Sequence, residues 1–337
     1  MVLRIIQVGL GRLGLTSYHG MRGWGDLIRE SEDWEPVAYV DISEKQIKIA
    51  VENYGIPREK CFLSLEEAVK KVEADALIVV VPTKYHTEVA LKGLRAGLHT
   101  LVEKPFADTL ENAKKMVEEA EKRGLKIMVD QNWRFTREVA TIKKLLKEKT
   151  VGDLGYLNVT VKKAGYTEKT WRWEGEHPWI NSGIHWVDNI RNITGLDAVN
   201  VSARTWRPSW TWLPGFSCVT AVFEMENGVL ATYMQSLVSM GRAINHWSIE
   251  CSKGEIFWDR RAGVKIHSKK PPQVVEAELV PMELEGRRYI LHEFAEAIRQ
   301  DREPEVSGRD NLKSLAMVHA AVESARTGKL QRIEDYL

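Results

Sequence analysis

The run Leu3-Arg4-Ile5-Ile6-Gln7-Val8-Gly9-Leu10-Gly11-Arg12-Leu13-Gly14 decides the fold. Its first half is a short apolar segment of strand character, and its second half fits G-x-G-x-x-G immediately after that strand. In this pattern the first glycine permits a tight turn, the second lets backbone approach a pyrophosphate, and the third lets helix and strand pack closely. A plain strand-to-helix turn is the bland alternative. Asp41 follows the second apolar strand, where a carboxylate can accept hydrogen bonds from both ribose hydroxyls of NAD and repel the 2′-phosphate of NADP. The insert at 20–33 explains the longer spacing from Gly14 to Asp41. Capping of the helix that begins near Ser43 is the other use for Asp41. NAD is the expected cofactor, with NADP left open because Arg12 and Ser43 lie nearby.

Working outward, residues 1–131 alternate strand and helix. Strands are expected at Leu3–Val8, Glu35–Val40, Ala76–Val81, Leu98–Glu103 and Leu125–Val129. Helices are expected at Ser43–Tyr54, Ser64–Val72, His86–Ala96 and Leu110–Arg123, several ending at a glycine. Near-continuous apolar strands between amphipathic helices predict a doubly wound parallel sheet covered on both faces. From about residue 132 the pattern becomes α+β. Helices are expected at Arg137–Lys147, Trp179–Ile193, Arg287–Gln300 and Asn311–Thr327. Strands are expected at Leu157–Lys163, Val199–Trp206, Ser217–Met225, Val229–Ser236, Asn245–Cys251 and Gly254–Trp258. Glu226-Asn227-Gly228 predicts a tight antiparallel hairpin. The expected organisation is a dinucleotide-binding domain at 1–132 and a second domain at 133–337 with a large open, mostly antiparallel sheet.

Composition narrows the function. Lys+Arg 48 against Asp+Glu 47 gives a net charge of +1, without the basic excess that nucleic-acid binding requires. The longest apolar runs, such as Ala76–Pro82, fall far short of the roughly 20 residues that cross a bilayer. The N-terminus reads as strand and turn rather than signal peptide. Three scattered cysteines, Cys61, Cys218 and Cys251, predict reduced thiols in a cytoplasmic protein. His177, His185 and His292 share no metal-ligand spacing, so no metal is expected.

Two further motifs carry chemistry. Glu103-Lys104-Pro105 follows the fourth expected strand and sets Lys104 at the carboxyl edge of the sheet, where open α/β folds bind ligands. Asn181-Ser182-Gly183-Ile184-His185-Trp186-Val187-Asp188 opens a helix on which Asn181, His185 and Asp188 share one face beside an apolar stripe of Ile180, Ile184 and Val187. A satisfied core histidine is the alternative for His185. Ten of the twelve tryptophans lie between Trp133 and Trp258. Most are expected in the core or at an interface, with Trp171, Trp173 and Trp179 the more open question.

Together GLGRLG at 9–14, VVVPTKYHTEVALKGLRAGLHTLVEKPFADTLENA at 79–113, QNWRF at 131–135, SGIHWVD at 182–188 and EFAEAIRQDREPEVSGRDNLKSLAMVHAAVESARTGK at 293–329 resemble the Gfo/Idh/MocA oxidoreductase family. The resemblance implies an N-terminal Rossmann domain and a C-terminal domain whose sheet serves substrate binding and assembly as a homodimer or homotetramer. It also implies NAD(P)-dependent oxidation or reduction of a hydroxyl-bearing carbon on a sugar, polyol or related compound. By the same resemblance Lys104 orients the substrate oxygen and His185 is the acid/base. The expected cofactor-binding set is Gly9, Leu10, Gly11, Arg12, Leu13, Gly14, Asp41, Ile42, Pro82, His86, Glu103 and Lys104. The expected substrate-binding set is Lys104, Trp133, Trp171, Trp173, Asn181 and His185, with Tyr166, Arg172, Glu174 and His177 around them.

One departure stands out. The family pattern usually reads D-x-G-x-H, and here its first position is Asn181. An amide can hold the imidazole tautomer but cannot stabilise a protonated histidine or a charged lysine as a carboxylate does. The expected substitutes for that charge are Glu174, Glu176 or Asp188. Two other functions stay open: an NAD-binding sensor or scaffold without turnover, and a lyase or glycosidase that recycles its NAD.

Overall fold

The computed structural model describes residues 1–15, 22–165, 175–269 and 272–337. Two compact units emerge: Met1–Asn132 with Leu284–Leu312, and Trp133–Glu283 with Lys313–Leu337. The segment Leu284–Leu312 thus packs with the N-terminal residues, although sequence alone assigned everything after residue 132 to the second half.

The first unit contains β1 (Leu3–Val8), α1 (Arg12–Leu15), α2 (Trp24–Glu30), β2 (Trp34–Val40), α3 (Glu44–Tyr54), β3 (Cys61–Phe62), α4 (Leu65–Lys71), β4 (Ala76–Val79), α5 (His86–Arg95), β5 (His99–Val102), α6 (Leu110–Lys122) and β6 (Ile127–Val129). The strands form a parallel sheet in the order β3-β2-β1-β4-β5-β6. The order reverses beside β1, and a strand-order reversal is where such sheets bind nucleotides. Burial explains the strands: every residue of β4 is buried, as expected for a strand covered on both faces. Helix α6 shows the complementary logic. The Thr109 side chain caps its N-terminus by accepting from the Asn112 N–H, and Ala113, Met116, Val117 and Ala120 form its buried stripe.

The second unit contains α7 (Arg137–Lys147), β7 (Leu154–Lys162), α8 (Ile180–Thr194), β8 (Ala198–Trp206), β9 (Cys218–Met225), β10 (Leu230–Ser236), β11 (Ile244–Cys251), β12 (Gly254–Asp259), β13 (Gly263–Lys269) and β14 (Pro272–Glu276). Helix α9 (Gly286–Arg299) belongs to the first unit. Helix α10 (Gly308–Thr327) starts there and continues into the second, where β15 (Gln331–Arg332) adds the last strand. The sheet order is β14-β13-β12-β11-β7-β10-β9-β8-β15, antiparallel except for the β7–β10 pair. Buried and more exposed residues alternate along β7, β9 and β10, so one sheet face is covered and the other is open. The expected hairpin forms between β9 and β10: the Met225 N–H donates to Val229 O and Gly228 takes φ +79 at the turn. Strands β3, β13, β14 and β15 and helix α2 were not foreseen. β14 begins at proline and is exposed throughout, so it lacks the apolar alternation that marks a strand.

Candidate active site

The glycine turn fits its expected roles atom by atom. A Cβ on Gly9, whose φ is +103, would lie 2.2 Å from Val80 O, and one on Gly14 would lie 2.1 Å from Gly9 O. Both positions therefore exclude a side chain by close packing. A Cβ on Gly11 would meet nothing within 4 Å, which leaves its backbone open to approach. Two side chains brace the turn. Gln7, fully buried within β1, donates through Nε2 to Gly9 O at 3.1 Å and Gly14 O at 3.0 Å. Asp41 accepts the Leu10 N–H at 2.8 Å and the Ser43 N–H at 2.9 Å. Its carboxylate thus holds the turn and the entrance to α3 together, and each oxygen retains lone-pair capacity for a ribose hydroxyl. Beside it Ile42 is 90% exposed, an apolar surface at the end of β2. The open Gly11 backbone, the carboxylate and the exposed isoleucine fit a dinucleotide.

Lys104 stands on buried ions. Strands β5 and β6 pair with Val102 opposite Val129, so Glu103 and Asp130 leave the sheet side by side. Both are buried. The Trp24 indole N–H donates to Glu103 Oε1 at 2.8 Å, and Arg287 Nη2 donates to the same oxygen at 3.1 Å. Arg287 Nε donates to Asp130 Oδ2 at 3.3 Å, and its guanidinium lies 5.1 Å from the centre of the Trp24 ring. Glu103 Oε2 accepts the Lys104 backbone N–H at 3.1 Å.

These contacts divide the protons. Burial works against the charge on Glu103, but Arg287 and Lys104 outweigh it and hold its pKa down. Burial, reinforced by the charge on Glu103, pushes the Asp130 carboxyl up to about 8. Asp130 Oδ1 finds no hydrogen-bond partner among the described residues. Lys104 is lowered, first by burial and then by Arg287, while Glu103 and Asp130 pull the other way. A lysine with depressed pKa at the carboxyl end of a parallel sheet is suited to proton transfer.

His185 has different surroundings. It lies on α8, 6% exposed. The glycine two residues earlier has a packing cause: a Cβ on Gly183 would come within 2.9 Å of Trp179 Cε3 and of the Tyr233 hydroxyl. Its absence seats α8 on β10, where Gln235 Nε2 donates to Ser182 Oγ at 2.6 Å. The Trp133 indole stacks on the His185 ring with centroids 5.1 Å apart and planes 7° from parallel. Trp186 meets Trp133 edge-on at 4.7 Å and leads to Trp247 and Trp258. Asp188 is not available to His185. It is fully buried and binds Arg134 bidentately at 2.6 Å through each oxygen, with Ser314 Oγ donating at 2.7 Å. Arg134 adjoins Trp133, so this ion pair fixes the turn that carries the indole.

Several expected site residues have other duties. His86 is 1% exposed, and its ring nitrogens face Val81 O at 2.8 Å and Pro105 O at 3.0 Å. It braces the loop after β4 against the loop after β5, and it is not open to a ligand. Glu103 is likewise committed beneath Lys104. Pro82 precedes a short 3₁₀ turn at Thr83–Tyr85. The polar stripe of α8 is not an open face, because residues 183–191 are all buried. Asn181 retains partial exposure near the start of α8. His177 stacks on Phe216 at 5.3 Å, and burial lowers its pKa. Trp179 is a core residue, 1% exposed. Tyr166, Trp171, Arg172, Trp173 and Glu174 lie outside the described residues.

Sequence reasoning missed Gln7, Asp130, Arg134, Arg287 and Ser314. Only Asp130 carried a local signal, an acid directly after an apolar strand as Glu103 is. Among the described residues no group of three or more His, Cys, Asp or Glu could hold a metal ion, and no helix is long and apolar enough to cross a membrane.

Known proteins place this geometry. Residues 3–131 match the oxidoreductase family with an NAD-binding Rossmann fold, and residues 139–257 match the Gfo/Idh/MocA C-terminal domain. A D-apiose dehydrogenase of Paraburkholderia graminis is 25% identical over 94% of this chain and 86% of its own length. A myo-inositol 2-dehydrogenase of Thermotoga maritima is 22% identical over 99% of this chain and 100% of its own. An oxidoreductase from Agrobacterium radiobacter, solved with NAD+, L-tartaric acid and magnesium, shares the fold at a TM-score of 0.86 with 21% identity, covering 100% of both chains. With both of its halves matched in order, the chain belongs to the Gfo/Idh/MocA family of NAD-binding oxidoreductases.

Proposed function

We propose that the protein is an NAD-dependent dehydrogenase or reductase acting on a hydroxyl-bearing carbon of a sugar, polyol or related small molecule. The observation that carries this reading is Lys104, a lysine of depressed pKa held at the carboxyl end of β5 by buried Glu103, Arg287 and Asp130. Gly9, Leu10, Gly11, Arg12, Leu13, Gly14, Asp41 and Ile42 hold the dinucleotide. NAD is favoured over NADP because Asp41 presents a carboxylate where a 2′-phosphate would be repelled. When bound, the nicotinamide supplies the hydride acceptor or donor. Lys104 orients the substrate oxygen and offsets its developing negative charge. His185 takes the hydroxyl proton in oxidation and returns it in reduction. Trp133 and Asn181 complete the substrate contacts.

The dehydrogenase names of relatives acting on D-apiose and myo-inositol support the substrate class. The open face of the second unit's sheet, where Val222 and Leu230 are exposed, supports self-association as a homodimer or homotetramer. The unpaired thiols of Cys61, Cys218 and Cys251 support a cytoplasmic setting. A second reading, NAD binding without turnover, is favoured by Asn181 alone.

The test mixes the purified protein with NAD or NADP and a panel of sugars, inositols and sugar acids, following reduced nicotinamide by absorbance, and repeats it in the reverse direction with ketone products. A rate with NAD on at least one polyol is expected. Tight NADH binding with no rate on any compound in either direction would favour the second reading.

A further inference from the structure

Strand β1 is buried at Leu3 and from Ile5 to Val8, so apolar side chains are expected along that run. Gln7 breaks the pattern. It is fully buried, and a polar side chain in such a place must find partners that offset its desolvation.

Its two amide hydrogens have separate destinations, Gly9 O at 3.1 Å and Gly14 O at 3.0 Å. The carbonyls also decide which end of the amide faces them, because the side-chain oxygen in that place would oppose two acceptors. A trans peptide points its C=O and its N–H in opposite directions. With Gly9 O turned toward Gln7, the Leu10 N–H is turned away from it and donates to Asp41 Oδ2 at 2.8 Å. The Gly9–Leu10 peptide thus links an amide in the core to a carboxylate at the end of β2. The Gly14–Leu15 peptide is gripped in the same manner: its carbonyl meets Gln7, while the Leu15 N–H donates to Gly11 O at 3.0 Å. Helix α2 packs directly against the amide, since a Cβ on Gly25 would stand 3.1 Å from Gly14 O and 3.4 Å from Gln7 Oε1.

We propose that Gln7 is a positioning residue that sets dinucleotide selectivity from inside the core: through the Gly9–Leu10 peptide it holds the Asp41 carboxylate where it accepts from the ribose hydroxyls and repels a 2′-phosphate. The inference deepens the NAD reading and rests on it for the role of Asp41. A turn formed before the ligand arrives costs no ordering when the ligand binds. Without the amide, the Gly9–Leu10 peptide is free to rotate, and Asp41 loses one of the two N–H donors that orient it, keeping the Ser43 N–H at 2.9 Å. The carboxylate then swings aside, which weakens NADH and relieves NADPH.

The experiment measures the dissociation constants of NADH and NADPH by fluorescence titration of the full chain. It compares wild type with Gln7→Met, whose side chain has similar length and donates nothing. The wild type should prefer NADH, and Asp41→Asn should lose most of that preference; these two results test the reading of Asp41. Gln7→Met should weaken NADH about tenfold, the worth of two neutral hydrogen bonds, and weaken NADPH less, so that the preference falls at least about threefold. A merely structural Gln7 would lower Tm and leave the ratio of the two constants unchanged, and that result would overturn the proposal while the reading of Asp41 stands. A wild type without preference for NADH would overturn the reading and this inference with it. If Gln7→Met does not fold, amide hydrogen exchange on the wild type carries the test. The Leu10 N–H should be protected before NADH is added, and exchange at the rate of an open loop until NADH binds would overturn the proposal.

Discussion

Lys104 and His185 sit in two units built by opposite means. Around Lys104 the first unit gathers ionisable groups: Glu103, Asp130 and Arg287, all buried, with one tryptophan donating into the set. Around His185 the second unit gathers rings, Trp133, Trp186, Trp247 and Trp258, while the nearby ions cancel in the Arg134–Asp188 pair. Burial pushes Lys104 toward neutrality, and His185 is withdrawn from solvent at 6% exposed. Ion pairs are strong and directional but demand complete satisfaction, whereas an aromatic face is weaker and leaves no orphaned charge. The difference teaches that burial is satisfied by paired ionisable groups in one unit and by stacked rings in the other.

The largest effects come from breaking the ion pairs. Arg287→Met takes the guanidinium away from the buried Glu103 carboxylate, and Arg134→Met does the same to Asp188. Each should destabilise its own unit by about 3–5 kcal/mol, measured by chemical denaturation, because removing one partner of a buried pair strands the other. A loss under about 1 kcal/mol in Arg287→Met would mean that the cluster is already neutral.

Two glycines sharpen the description of the turn. Gly14→Ala should cost about 1–3 kcal/mol, since its Cβ collides with Gly9 O. Gly11→Ala should leave stability within about 0.5 kcal/mol, because open space receives the methyl. It should nevertheless weaken NADH binding roughly tenfold, about 1.4 kcal/mol, by fluorescence titration.

The third prediction concerns pH. The Asp130 carboxyl rises from 3.8 unfolded to about 8 folded. Between those values the folded state holds a proton that the unfolded state has lost, so this group makes stability fall as pH rises. Thermal unfolding of Asp130→Asn should therefore show a smaller loss of Tm between pH 5 and pH 8 than wild type, a difference of roughly a few degrees. Equal slopes would place Asp130 among ordinary carboxylates.

The smallest effect is the most specific. Asn181→Asp should raise the basicity of His185 and move the acid limb of the pH–rate profile to higher pH. A superimposable profile would show that position 181 does not act on His185 electrostatically.

What sequence revealed follows from range. The β1–glycine turn, the β9–β10 hairpin and helix α7 at Arg137–Lys147 were legible because their signals are local: apolar runs, turn glycines, a 3.6-residue stripe. Short motifs single out Lys104 and His185 in the sequence, and the family resemblance gives them their expected roles. Their surroundings were not legible. Arg287 reaches Glu103 from 184 positions away, and Asp188 is claimed by Arg134 from 54. No spacing announces either contact. The return of Leu284–Leu312 to the first unit hides for the same reason, since its helix looks like any other until Trp34 stacks on Phe294 at 5.5 Å. His86, a histidine soon after a strand end, looks available in sequence, whereas in the fold its ring nitrogens face the carbonyls of Pro105 and Val81.

The most direct test of the central claim is the rate of NAD reduction on the best polyol of the panel, compared among wild type, Lys104→Ala and His185→Ala at matched NAD saturation. The account predicts that each variant binds NADH normally and loses about 10²–10⁴-fold in kcat. A variant of either residue that keeps kcat within a few-fold of wild type would contradict it.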